Sequence, residues 1–146
     1  MGNQIVGSAR LLGICCLGML LAVAAKADSG VATISGEELS RLVDQGVTVV
    51  DVRRSDEWRS TGVINGSQLI TAFDESGRLN PRFVADVSAA VGKDQPVALI
   101  CRSGNRSAVA AQLLAKEAGF TKIYNVSGGI SAWLGQGKPM GPCTSC

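Results

Sequence analysis

The stretch Val97-Ala98-Leu99-Ile100-Cys101-Arg102-Ser103-Gly104-Asn105-Arg106-Ser107 decides the fold that we predict for this chain. Its first four residues form an apolar run, which is typical of a parallel strand covered on both faces. The polar residues that follow lead into a helical pattern from Arg106 to Ala118, with apolar side chains at Val109, Leu113 and Leu114. A buried strand, a short polar loop and a helix in this order predict one unit of an α/β domain.

Two more strand patterns lie on either side of this unit. The first is the apolar, β-branched run Val47–Val50, which ends in Asp51-Val52-Arg53, and the second is the segment 122–126. Strands that alternate with helices predict a single α/β domain with a mainly parallel central sheet flanked by helices. In such sheets, ligands bind beyond the carboxyl ends of the strands, which are the positions of Asp51 and Cys101 here.

Helix starts are also visible in the sequence. Ser35 and Glu38 have the spacing of a capping box, and Ser55 is the predicted N-cap of a short second helix. Asn80-Pro81 predicts a third helix with proline in its first position, ended by Gly92. A last short helix is expected to run from Gly128-Gly129 through Trp133.

The loop that begins at Cys101 is the candidate active site. Backbone N–H groups of such a loop, together with a helix N-terminus, point at whatever it encloses, and Gly104 permits a tight path. Arg102 and Arg106 add positive charge, so we expect a depressed pKa for the Cys101 thiol and an affinity for anions. The predicted catalytic residue is Cys101, and the predicted substrate-binding residues are Arg102, Ser103, Gly104, Asn105, Arg106 and Ser107.

The composition excludes several kinds of site. The 146 residues include no histidine, which rules out a Ser-His-Asp triad, a Cys-His dyad and every zinc site that needs a histidine. We therefore expect no metal and no cofactor. The net charge is +2, but Arg10 and Lys26 lie in a leader whose removal would leave equal numbers of cations and anions. This balance argues against a nucleic-acid partner.

Residues 1–27 are predicted to be a signal peptide. Leu11–Ala25 carries no charge, and Ala25-Lys26-Ala27 fits the small-x-small cleavage pattern. The apolar run is short for a bilayer, which usually needs about 20 residues. We predict a single folded domain over 28–138, a flexible tail over 139–146, and a periplasmic or secreted protein. The alternative is a retained leader that anchors the protein in the inner membrane, the one case in which we expect a membrane contact.

Four separated stretches resemble the rhodanese (sulfurtransferase) family, and the chain is similar to its single-domain periplasmic members. They are the strand ending Asp51-Val52-Arg53, the signature that includes Glu57-Trp58 and Gly62–Ser67, the loop Cys101–Ser107, and Gly128-Gly129-Ile130-Ser131-Ala132-Trp133. Val63 stands where the family usually has a histidine that is not catalytic. Trp58 and Trp133 are expected to be core aromatics.

The resemblance implies a two-step transfer of sulfur. The Cys101 thiolate would attack the outer sulfur of thiosulfate, expel sulfite and carry a persulfide, which a small thiophilic acceptor (cyanide or a thiol) or a protein thiol would then discharge. Arg102 and Arg106 would bind the thiosulfate. Asp51 and Arg53 would support the site, either because Asp51 holds Arg106 or a main-chain N–H, or as a buried ion pair at the sheet edge. We favour the ion pair.

Two other functions remain open at this point. Cys143 and Cys146 form a possible redox pair, which would suit a thiol-disulfide or sulfur-relay protein that uses them with Cys101. A cysteine-dependent phosphatase or arsenate reductase is the second, but related folds place five residues between the cysteine and the arginine. Arg106 is one position too early for that spacing.

Overall fold

The computed structural model describes Met1 and residues 30–146. Apart from Met1, the predicted signal peptide of residues 1–27 lies outside the described residues. Within the part of the chain that is described, no helix has the length and apolar character needed to cross a membrane.

The described residues form one parallel sheet with helices on both faces. The strands are β1 (Val31–Ile34), β2 (Thr48–Asp51), β3 (Gln68–Leu69), β4 (Val97–Ile100) and β5 (Ile123–Val126). The helices are α1 (Gly36–Asp44), α2 (Ser55–Thr61), α3 (Phe83–Ala90), α4 (Asn105–Glu117) and α5 (Gly129–Gly135). The sheet order is β1-β5-β4-β2-β3, and all its pairs are parallel. The predicted α/β fold class is confirmed.

Strand β4 is buried on both of its faces. Val97 and Leu99 pack in one apolar cluster, whereas Ala98 and Ile100 pack in the cluster on the opposite face. The alternation explains why the sequence of β4 is continuously apolar, because each successive side chain needs a hydrophobic partner on its own side. Trp133 belongs to the second cluster and is 3% exposed, as expected for a core aromatic.

The register of the central strands sets the position of the loop after β4. Asp51 at the end of β2 pairs with Ile100 at the end of β4. The N–H of Val52 donates to the carbonyl of Ile100 over 2.9 Å, so the two chain segments leave the sheet together. The residues after both strands therefore meet at the same edge, where α/β sheets bind ligands.

Several element boundaries differ from the prediction. Strands β1 and β3 were not predicted. Strand β3 has only two residues and gains its strand character from pairing with β2. The N-cap of α2 is Arg54 and not Ser55. Helix α3 begins at Phe83, because Asn80 holds a turn: its N–H donates to Ala72 and its carbonyl accepts from Phe83. The capping box of Ser35 and Glu38 is present as predicted.

The predicted flexible tail is attached to the domain over its first half. Val63 and Gly141 exchange two backbone hydrogen bonds of 2.9 and 2.8 Å, and Met140 packs against the second apolar cluster. Beyond this attachment, Cys143 and Cys146 form a disulfide. The attachment is a long-range backbone pairing, which a Gly/Pro-rich sequence does not reveal.

Candidate active site

Cys101 lies at the floor of the loop between β4 and α4. The residue is 1% exposed, and its Sγ accepts a hydrogen bond of 3.1 Å from the backbone N–H of Gly104. The hydroxyl of Ser107 lies 3.3 Å from the same sulfur. Gly104 has a φ of +96°, a left-handed conformation that turns its N–H toward the sulfur and that glycine adopts without strain.

These hydrogen bonds lower the pKa of the Cys101 thiol. Burial by itself raises the pKa, because it disfavours the charged thiolate. The Ser107 hydroxyl and the backbone N–H groups of Ser107, Ser103 and Gly104 outweigh burial, since they stabilise the anion more than the thiol. The expected direction is therefore present, but hydrogen bonds rather than the charges of Arg102 and Arg106 are its leading cause.

The N-terminus of α5 holds the start of the loop. The N–H of Ile130 donates to the carbonyl of Cys101 over 2.8 Å, and the N–H of Ser131 donates to that of Arg102 over 3.0 Å. Gly129 approaches the same backbone so closely that a Cβ would lie 2.7 Å from the carbonyl carbon and oxygen of Arg102. The signature Gly-Gly-x-x-x-Trp thus acts as a backbone support for the loop, and Trp133 anchors it in the core.

Arg106 is held by Glu57, a residue that the sequence did not single out as part of the site. The two guanidinium nitrogens donate to the two carboxylate oxygens over 2.7 Å each. Glu57 also accepts the N–H of Arg54 at the start of α2 over 3.1 Å. Burial raises the pKa of Glu57, but the hydrogen bonds from Arg106 and Arg54 lower it to about 2. The pair connects the starts of α2 and α4. The sequence signal for Glu57 was an acidic residue in the first turn of a predicted helix, next to Trp58 of the signature.

Arg102 differs from Arg106 in its surroundings. Its side chain is exposed, and it forms no ion pair with any described residue. It lines a cavity of about 420 Å³ beside the loop, together with residues of α2 and α5 that include Glu57, Ser131 and Leu134. Of the two arginines in the loop, Arg102 is the one with a guanidinium available to an incoming anion.

Asp51 and Arg53 form a buried ion pair at the end of β2. The Arg53 guanidinium donates to both carboxylate oxygens of Asp51 at 2.7 to 3.0 Å, and the two residues are 2% and 0% exposed. Nη1 of Arg53 donates to the Thr61 hydroxyl, and Nη2, which also donates to Asp51, donates to the Gly62 carbonyl. Asp51 makes no hydrogen bond to the loop in the described structure. The pair therefore ties the end of β2 to the end of α2.

The other predicted residues divide into rim and floor. Ser103 and Asn105 are exposed at the rim of the loop, whereas Ser107 is buried and bonds to Asn125 of β5 over 2.7 Å. Asn125 was not predicted, because a polar residue within a strand carries no local signal of its function.

The disulfide of Cys143 and Cys146 lies outside the loop. The cavity beside Cys143 is lined by residues 63–69, Trp58 and the tail, and by no loop residue. Within the described ranges, no three metal-ligating side chains are grouped.

Comparison with known proteins identifies the family. Residues 35–136 match the family model described as a rhodanese-like domain. The chain belongs to the rhodanese-like domain family. It is similar to thiosulfate sulfurtransferase GlpE of Pseudomonas savastanoi pv. phaseolicola, with 31% identity over 68% of this chain and 84% of that protein. It is also similar to rhodanese-like domain-containing protein 17 of Arabidopsis thaliana, with 29% identity over 75% of this chain and 72% of that protein.

A solved structure agrees with this identification. The rhodanese-related protein of Thermoplasma volcanium superposes with a TM-score of 0.56 and 27% identity, over 75% of this chain and 96% of that one. The resemblance first seen in separated motifs is therefore confirmed, as is the rhodanese-like fold. Family membership and relatives named as sulfurtransferases support sulfur transfer as the chemistry of this rhodanese-like domain.

Proposed function

We propose that this rhodanese-like domain moves the outer sulfur of thiosulfate to a thiophilic acceptor through a persulfide on Cys101. The observation that carries the proposal is the set of donors around the Cys101 sulfur, with the Gly104 N–H at 3.1 Å and the Ser107 hydroxyl at 3.3 Å. Such a site keeps a thiolate ready for attack without a neighbouring base. This accounts for nucleophilic chemistry in a chain that has no histidine.

The chemistry proceeds in two displacements at sulfur. In the first, an electron pair of the Cys101 thiolate forms a bond to the outer sulfur of thiosulfate, the S–S bond of thiosulfate breaks, and sulfite leaves with the electron pair of the broken bond. In the second, the acceptor attacks the terminal sulfur of the persulfide, and Cys101 leaves as the thiolate. The N–H groups of the loop stabilise the negative charge at each stage, because they already point at the sulfur. Cyanide or a thiol, free or on a protein, fits the acceptor role.

The two arginines have different roles in this proposal. Arg102 binds the sulfonate end of thiosulfate, since it is exposed, faces the cavity beside the loop and has no described ion-pair partner. Arg106 orients the loop through its two hydrogen bonds to Glu57. This revises the initial expectation that both arginines bind the substrate.

Location and compartment also belong to the proposal. The apolar stretch and the Ala25-Lys26-Ala27 pattern support a cleaved signal peptide and a periplasmic or secreted domain, with a retained inner-membrane anchor as the alternative. A disulfide between Cys143 and Cys146 is compatible with an oxidising compartment.

A paired assay of purified protein tests the function. We expect thiocyanate to form from thiosulfate and cyanide, with little hydrolysis of p-nitrophenyl phosphate, because the loop places Arg106 one position too early for a phosphate cradle. A second arm replaces cyanide with a dithiol and compares sulfide release by the protein and by a variant with both Cys143→Ser and Cys146→Ser, since the dithiol also reduces the tail disulfide. Phosphate ester hydrolysis without thiocyanate formation would contradict the proposal.

Arg102→Ala is expected to weaken the use of thiosulfate. A charge-assisted hydrogen bond contributes about 1.5 to 3 kcal/mol, and exposure reduces it, so we expect KM for thiosulfate to rise about tenfold. The unfolding midpoint should change little, because the Arg102 side chain makes no described ion pair. Initial rates over a range of thiosulfate concentrations measure the effect.

Arg59→Ala is the matched control for this prediction. Arg59 is an exposed arginine on α2 that does not line the cavity beside the loop, so its removal changes the net charge equally. An equal rise of KM in both variants would show that only the overall charge matters and would contradict the assignment of Arg102.

A further inference from the structure

The hydroxyl of Ser107 has one hydrogen and three acceptors within reach. Its oxygen lies 2.7 Å from Asn125 Oδ1, 3.2 Å from the carbonyl of Gly104 and 3.3 Å from the sulfur of Cys101. A serine hydroxyl can donate to only one acceptor at a time. The shortest of the three distances leads away from the sulfur, toward the side chain of Asn125.

Asn125 is a buried residue in a strand, and its backbone pairing within the sheet does not explain why its side chain is a polar amide. It lies within β5, where its backbone pairs with Thr33 and Leu99 on the neighbouring strands, and it is 7% exposed. Its Oδ1 receives the Ser107 hydroxyl, whereas its Nδ2 makes no hydrogen bond to a described residue. Within the described part of the chain, its one polar side-chain contact is thus to a group that also faces the nucleophile.

The charged groups around the loop take no part in the hydrogen bond between Ser107 and Asn125. Arg106 is paired with Glu57 of α2, Arg53 is paired with Asp51 at the end of β2, and Arg102 is exposed at the rim. None of them forms a hydrogen bond with Ser107 or Asn125 in the described structure. A change at residue 125 therefore leaves these ion pairs in place.

We propose that Asn125 is a positioning residue that competes with the Cys101 sulfur for the single hydroxyl hydrogen of Ser107 and so tunes the nucleophile. The link to sulfur transfer rests on the proposed function, but the competition itself does not. While the Ser107 hydroxyl donates to Asn125, the thiolate has one donor fewer. The thiolate is more basic as a result, and a more basic thiolate is intrinsically the stronger nucleophile.

Substitutions that remove or strengthen the acceptor should act in opposite directions. Asn125→Leu has a similar size and accepts no hydrogen bond, so the hydroxyl is free to donate to the thiolate. Asn125→Asp keeps the acceptor and adds negative charge. If Asn125 only holds Ser107 in place, Asn125→Leu should instead destabilise the thiolate and raise the pH of half-maximal alkylation, since Ser107 would lose its orientation toward the sulfur.

Alkylation of Cys101 by iodoacetamide across pH measures the effect without any sulfur donor. We expect the pH of half-maximal alkylation to fall by roughly 0.5 to 1 unit in Asn125→Leu, because the thiolate gains part of the stabilisation of one charge-assisted hydrogen bond. In Asn125→Asp we expect this pH to rise. The shift in Asn125→Leu should disappear in a Ser107→Ala background. Cys101→Ala provides the blank for alkylation elsewhere.

Each result decides the proposal. An unchanged or higher midpoint in Asn125→Leu would overturn it, as would a shift that persists without the Ser107 hydroxyl, or an unchanged or lower midpoint in Asn125→Asp. Near-UV circular dichroism checks the fold, and Asn125→Ala, which also lacks an acceptor, is used in the same way if Asn125→Leu does not fold. Failure of Cys101 to take up sulfur would contradict the proposed function but would leave the alkylation result unaffected.

Discussion

Cys101→Ser is expected to take up no sulfur from thiosulfate, whereas the unmodified protein gains the mass of one sulfur atom. The proposed persulfide forms only on a thiolate, and a serine hydroxyl at the same place is far less acidic and cannot form it. Thiocyanate formation should fall to the rate without enzyme. Intact-mass spectrometry after thiosulfate treatment and gel filtration measures the adduct directly.

The tail cysteines supply the matched control. A variant with both Cys143→Ser and Cys146→Ser should still gain one sulfur, because the disulfide lies beside a cavity that no loop residue lines. The adduct should map to the peptide that contains Cys101. A sulfur adduct on reduced Cys101→Ser, or on the tail peptide alone, would indicate the sulfur-relay function and contradict the proposed one.

Gly129→Ala is expected to destabilise the domain and to inactivate the site. Gly129 has a φ of +54°, and a Cβ there would lie 2.7 Å from the Arg102 carbonyl group and closer still to the Cys101 carbonyl oxygen. Left-handed strain and overpacking each cost about 1 to 3 kcal/mol, so we expect a loss of roughly 3 to 5 kcal/mol in the free energy of unfolding. Both clashing groups are backbone of the loop, so relief of the clash must displace Cys101. Urea unfolding and thiocyanate formation at a temperature where the variant is folded measure the two effects.

Gly119→Ala separates the clash from the backbone strain. Gly119 has a similar φ of +70°, but no atom lies within 4 Å of a Cβ at this position. We expect a loss of about 1 kcal/mol from the left-handed conformation and unchanged catalysis. Equal losses of stability and activity in the two variants would show that α5 does not hold the loop as described.

The parts of the site that the sequence predicted are those whose chemistry is local. Cys101 and Gly104 lie within one loop between a strand and a helix, so their position alone predicts that backbone N–H groups point at the sulfur. The Ser107 hydroxyl beside the sulfur was not predicted. The capping box of Ser35 and Glu38 is local in the same sense. Ser55 was predicted as an N-cap on the same grounds, but Arg54 takes that position and Glu57 accepts its N–H.

The contacts of Glu57, Gly129 and Asn125 with the loop came only from the structure. Glu57 is 49 residues from Arg106 along the chain, and Asn125 is 18 residues from Ser107. Each meets the loop because the order β5-β4-β2 places the ends of three strands side by side. Nothing in the local pattern around these residues reports such a contact, since it depends on register and on the packing of α2 and α5.

The sequence by itself determined the fold class and the family and predicted the candidate nucleophile, because hydrophobic periodicity and a strand–loop–helix motif act over a few residues. Only the tertiary structure decided how the charges are used. Two arginines in one loop look equivalent in sequence, yet Arg106 is bound to a distant carboxylate and Arg102 is exposed. The physical reason is that a charge acts according to its partners and its burial, and both are set by segments far apart in the chain.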